Sequence, residues 1–82
     1  MSQDRHIVYA VTIAGKSRVR HRVSDPLDYG AANDTWHAFD DPRFLRGQRT
    51  YVNGQRVAFH AIRSATDPDW PANGPKRNPV IV

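Results

Sequence analysis

The chain has no cysteine, no glutamate, only two lysines and no apolar run long enough to cross a bilayer. Each absence closes a class of function. Without thiols there is neither a disulfide framework nor a thiolate metal site, and nothing points to an oxidising compartment, so a cytoplasmic setting is expected. The longest apolar stretch, Ile7 to Ala14, is interrupted by Tyr9 and Thr12 and falls far short of the roughly 20 residues a spanning helix needs. The N-terminus carries no signal-peptide plan, so no membrane role is expected. The five glycines stand singly at turn positions, which excludes a phosphate loop and a dinucleotide fingerprint. His6, His21, His37 and His60 show no i, i+4 metal spacing, and there is no glutamate to complete a carboxylate set. No metal and no other cofactor is expected.

What the chain has is arginine. Its 82 residues hold ten arginines against eight aspartates, giving a formal net charge of +4 and a pI near 10.1. That balance is the electrostatic footprint of a nucleic-acid binder, although a small domain also carries this much charge simply to stay soluble. The length allows one domain with one modest core.

Asn53-Gly54 between two β-prone runs is the strongest local signal, because a type I′ hairpin turn needs positive φ at both central positions. It sets Val52 opposite Gln55, Tyr51 opposite Arg56, Arg49 opposite Ala58 and Gln48 opposite Phe59. Strict alternation then gives a core face of Val52, Val57 and Phe59, and an opposite face of Arg49, Tyr51, Arg56 and His60. A second hairpin opens the chain. A two-residue turn at Gly15-Lys16 would set Val11 opposite Arg20 and Tyr9 opposite Arg22, mixing arginines into the apolar side. A three-residue loop centred on Gly15 avoids this. It groups Ile7, Tyr9, Val11 and Ile13 with Val19, His21 and Val23, and sends Arg18, Arg20 and Arg22 to the other face. The three-residue loop is therefore the expectation.

Between the hairpins, Asp25-Pro26-Leu27-Asp28 reads as an N-cap, a proline at the first helical position and an acid in the first turn. Leu27, Ala31, Ala32, Thr35, Trp36 and Phe39 form an apolar stripe, while Gly30 and Asn33-Asp34 allow a later start near Asp34. Asp41-Pro42 to Gly47 reads as one further helical turn closed by glycine. From residue 64 onward, prolines at 68, 71, 75 and 79 forbid helix and central strand, leaving an extended arm anchored by Trp70 and Val80-Ile81-Val82. The organisation is a 1–63 α+β domain, a small antiparallel sheet of two β-hairpins with one covering helix, followed by a Pro-rich C-terminal arm, 64–82. A small all-β barrel is the alternative.

The helix carries Asp28, Asp34, Asp40 and Asp41, which would repel phosphate, so groove reading by a recognition helix is not expected. His60 beside Arg49, Tyr51 and Arg56 would suit a metal-independent ribonuclease, but no second catalytic group accompanies it, and the chain is read as non-enzymatic. His21 reads as a half-buried histidine bonded to a neighbour; His37, with Asp40 and Asp41 a turn later, has the spacing of a local His-Asp pair but reads as part of a helix surface bearing solvated acids. The leading expectation is a small binding protein that regulates, inhibits or adapts a protein partner, in the manner of a phage or mobile-element accessory factor. It would dock through Arg18, Arg20, Arg22, Arg49, Tyr51, Arg56, His60 and Trp70. Acids spread among the arginines along the chain favour such a mixed interface. The alternative is a module that binds single-stranded DNA or RNA on the basic sheet face. An uncovered strand edge would also offer a route to a homodimer.

Overall fold

The computed structural model describes residues 4–82, the side chain of Phe44 excepted. Along the chain lie β1 (His6–Ala14), β2 (Ser17–Arg22), α1 (Tyr29–Asp40), α2 (Pro42–Leu45), β3 (Thr50–Val52), β4 (Gln55–Ser64) and β5 (Val80–Ile81). The strands make one open antiparallel sheet in the order β2-β1-β4-β3-β5, with α1 packed on β1 and β4. This is the small α+β fold expected; it is not a closed barrel.

The Asn53-Gly54 turn forms as its chemistry requires, with φ of 53° and 79°, and pairs Tyr51 with Arg56 and Val52 with Gln55. The ladder stops there. Arg49 does not reach Ala58; it exchanges both backbone hydrogen bonds with Val82, at 2.8 Å each, and Thr50 and Tyr51 pair with Ile81 and Val80. Further along β4 the alternation breaks. Thr12 lies opposite Val57 but Val11 lies opposite Phe59, so Ala58 is an extra residue, a β-bulge. The bulge turns the rest of β4 over. His60, expected on the arginine face, is 4% exposed on the helix side, where Trp36 Nε1 donates to its carbonyl at 2.9 Å. Phe59, expected in the core, is 37% exposed on the other side.

The first hairpin corrects the expected loop. Gly15, at φ 63°, occupies the first central position of a two-residue, type II′ turn, and Ala14 pairs with Ser17, Val11 with Arg20 and Tyr9 with Arg22. The rejected register is the real one because β1 has no solvent side: Ile7, Val8, Tyr9, Ala10, Val11 and Thr12 are each at most 1% exposed. On one face Val8 and Ala10 join Val23, Ala32, Val52 and Val57, with Leu27 and Ile62 at the margin. On the other face Tyr9 is covered by Trp70 of the C-terminal arm, ring centroids 5.0 Å apart. The arginines of β2 therefore share a face with apolar residues without being buried, since Arg18 and Arg20 extend from an edge strand into solvent.

The helix begins three residues later than its first signal. His6 and Leu27 exchange backbone hydrogen bonds (2.6 and 2.8 Å), which holds Leu27 extended, so Asp28 rather than Asp25 caps α1 and accepts from the Ala31 N–H. Asp25 instead pairs with Arg22 and Lys76. Directly after α1, Asp41 caps α2, which closes at Arg46 (φ 50°) and Gly47 (φ 88°).

The arm ties the sheet's two sides together. The Arg77 N–H donates to the Arg22 carbonyl on β2, yet three residues on, Val80 is already paired with β3. Three residues span about 10 Å at most, so the sheet curls strongly around the helix-side core and the arginine face is left outermost. If the bulge sets both faces of β4, deletion of Ala58 should lower unfolding stability by more than about 3 kcal/mol in urea titrations, while Ala58→Ser should stay within about 0.5 kcal/mol. Equal stability of the deletion variant and the parent would refute this account of β4.

Candidate functional site

Five arginines lie in the strands, Arg18, Arg20 and Arg22 on β2 and Arg56 and Arg63 on β4, and the register sends all five to the face away from α1. No aspartate occurs in any strand. Arg22 pairs loosely with Asp25 at 3.8 Å; among the described residues no carboxylate lies within 4 Å of Arg18, Arg20, Arg56 or Arg63. Apart from that pair, the hydrogen bonds these groups make go to neutral carbonyls. Arg20 Nη1 donates to the Asp69 carbonyl at 2.6 Å, and Arg22 Nε to the Gly74 carbonyl at 2.9 Å. Carbonyls satisfy N–H donors without cancelling the positive charge, and against five strand arginines the arm sets only Asp67 and Asp69 near this face, which leaves an excess of positive charge there.

Aromatic rings are set among these cations. Phe59 is exposed and Tyr51 half-buried on the same face, beside the exposed Ile13. Trp70 is held differently: the Arg20 and Arg63 guanidinium carbons sit 4.4 and 4.8 Å from its ring centroid, with Tyr9 beneath. Burial pushes the Tyr9 phenol above its usual range, with Arg22 pulling against it and the Asp67 carboxylate adding to it, and its hydroxyl has no hydrogen-bond partner among the described residues.

Of the residues singled out from sequence, Arg18, Arg20, Arg22, Arg56, Tyr51 and Trp70 share this face or its edge. Arg49 stands apart, its Nη1 donating to the carbonyls of Gly47 and Gln48; with Arg56, Thr50 and Asp40 it borders a cleft of about 200 Å³ where β3 parts from β4. His60 does not join the arginines. Its ring stacks on Phe39 (centroids 5.5 Å, 15° between planes), and Nδ1 lies 3.5 Å from Asp40 Oδ1 without forming a hydrogen bond. Burial holds the imidazole below its usual range, with Asp40 opposing. The grouping of His60 with Arg49, Tyr51 and Arg56 is thus not formed. Arg63 and Phe59 were not visible as members of the face, because a bulge centred on alanine leaves no mark in the residue pattern.

The remaining histidines have structural partners. His21 Nε2 lies 3.0 Å from Thr12 Oγ1, and burial, then Arg77, lowers its pKa. His37 Nδ1 donates to Asp41 Oδ2 at 2.9 Å. Asp41 also accepts from the Arg43 side chain (2.8 Å) and from the Arg43 N–H, which hold its carboxyl well below the usual range and fasten α2 to α1. Among the described residues no three His or Asp side chains assemble as metal ligands, and no helix is long and apolar enough to cross a membrane. Comparison with protein-family models, with curated proteins and with solved structures finds no match.

His60 makes stability depend on pH in a definite direction. Its folded pKa lies below the reference value of 6.5, so the unfolded chain takes up the proton more readily. Its contribution is complete above about pH 6.5 and is lost as pH falls below that value. Urea midpoints should fall between pH 7.5 and 5 in the parent, and less in His60→Leu, where His21, also lowered, keeps its share of the dependence; parallel pH profiles for the two would count against the assignment.

Proposed function

We propose that the chain is a small, non-enzymatic, cytoplasmic module that binds single-stranded nucleic acid across its outer sheet face. The observation that carries this reading is the emergence of all five strand arginines on one face, four of them without a carboxylate within 4 Å among the described residues, around the exposed ring of Phe59 and the half-buried ring of Tyr51. Uncompensated guanidinium groups attract phosphates and present planar donors to them, while Phe59 and Tyr51 offer surfaces for unstacked bases. The face is a sheet with no projecting helix, and the acidic α1 lies behind it, which suits a splayed single strand better than a duplex groove.

Docking on a protein partner is the competing reading. Its support is the scatter of aspartates among arginines, and part of that scatter survives folding: Asp25 pairs with Arg22, Asp69 borders the same depression as Arg18 and Arg20, and Asp67 lies near Tyr9, although no aspartate stands in a strand.

Anisotropy titration of a labelled oligothymidine over a series of salt concentrations tests the proposal. With four uncompensated cations the slope of log K against log salt should be about −3, since each phosphate contact on a single strand contributes about −0.7. Arg18→Ala and Arg56→Ala should each make the slope shallower by about 0.7 while leaving the circular dichroism spectrum unchanged. Absence of binding at low salt, or a slope that neither substitution alters, would reject the reading and return protein docking to first place.

A further inference from the structure

We propose that the clamp around Trp70 is a nucleobase subsite, which the C-terminal arm fills with its own indole; this rests on the nucleic-acid reading of the face. The clamp has three walls. The guanidinium groups of Arg20 and Arg63 approach the indole to 4.4 and 4.8 Å, and Tyr9 lies against it at 5.0 Å. A flat heteroaromatic ring set among two guanidinium groups and a phenol is the environment in which proteins hold unstacked bases.

A second, independent feature points to a ligand other than indole. Tyr9 is 0% exposed, and its hydroxyl finds no hydrogen-bond partner among the described residues. A buried hydroxyl normally has one. An indole has a single N–H donor and no acceptor, whereas the edge of any nucleobase carries both ring nitrogens and exocyclic groups that a phenol can engage.

The way the arm is held allows the exchange. From residues 66 to 76 its backbone hydrogen bonds are turns within the arm or back to Ser64, such as Ala72 to Trp70 and Gly74 to Pro71. Beyond those to Ser64 at the end of β4, the hydrogen bonds tying this stretch to the sheet come from the Arg20 and Arg22 side chains. Backbone pairing with the sheet resumes only at Arg77. Residues 66–76 can therefore lift without opening a strand ladder, and the donors that hold them are the ones phosphates would claim. Arm and nucleic acid compete by linkage, each weakening the hold of the other. A shallow, open depression between Arg18–Arg20 and Pro68–Pro71, with Asp69 on its arm side, lies beside the indole and leaves it open to approach.

The test uses the full chain and two probes, adenosine 5′-monophosphate and oligothymidine. Trp70→Ala should bind the mononucleotide at least about tenfold more tightly than the parent, because the internal occupant is gone, and adding Tyr9→Phe should remove most of that gain. In the parent, saturating oligothymidine should make tryptophan emission more accessible to acrylamide. A folded Trp70→Ala that binds the mononucleotide no better than the parent overturns the subsite. Should that variant fail to fold, the parent decides: oligothymidine binding with unchanged quenching overturns it equally. Loss of oligothymidine binding in every protein rejects the reading of the face instead, while the mononucleotide result still judges the clamp.

Discussion

The fold depends on a central strand that has no outside. Six consecutive residues of β1, Ile7 to Thr12, are sealed from solvent, so the chain must supply a cover for each face. Helix α1 is one cover and the Pro-rich arm is the other. Fully burying a side chain of the size of Ile7, Tyr9 or Val11 stabilises by about 1.5–3 kcal/mol, whereas an exposed cation–π contact contributes about 0.5–1 kcal/mol. Apolar burial therefore drives the arm onto the sheet, and Arg20 and Arg63 chiefly decide where its tryptophan comes to rest. With β5 closing the far side, residues after 63 complete the structure more than they hang from it.

This double cover explains how arginines and apolar side chains share a face. A guanidinium on an edge strand can lay its methylene stem along the sheet and keep its head in water or on a carbonyl. The arm offers such carbonyls at Asp69 and Gly74, and it offers few carboxylates, so the donors are satisfied without the charge being cancelled. A large unscreened desolvation cost is avoided. The result is a face that is closely packed at Tyr9, wet at its margins and rich in arginine, with Asp67 and Asp69 of the arm beside it.

Local chemistry was legible where a single turn or cap decides the outcome. Asn53-Gly54 specified its hairpin and Asp41-Pro42 its helical turn, and the α+β class followed from those elements. Register away from a turn was not legible by alternation alone. A three-residue loop at Gly15 suits a β1 with one wet face, but an unbroken run such as Ile7-Val8-Tyr9-Ala10-Val11 is the mark of a strand covered on both sides. That signal was in the residues. The bulge was not: Ala58 has none of the special backbone needs that would announce an extra residue, and its effect on His60, Phe59 and Arg63 is visible only through pairing with β1. Part of the arginine face was therefore recognisable as three alternating positions on β2, while its β4 half was scrambled.

The same constraint limits what could displace the arm. Phosphate alone can compete for Arg20 and Arg22, but it would leave Tyr9 uncovered and forfeit the burial that seats Trp70. A displacing ligand has to bring charge and a flat apolar surface together, the first for the guanidinium groups and the second for the phenol ring beneath. Free inorganic anions have only the first, and an aliphatic side chain has only the second. A nucleotide has both in one covalent unit, with its phosphate a short distance from its base. A site whose internal occupant is an indole gripped by two arginines thus selects by the same physics that folds it: whatever replaces Trp70 must seal β1 as well as Trp70 does.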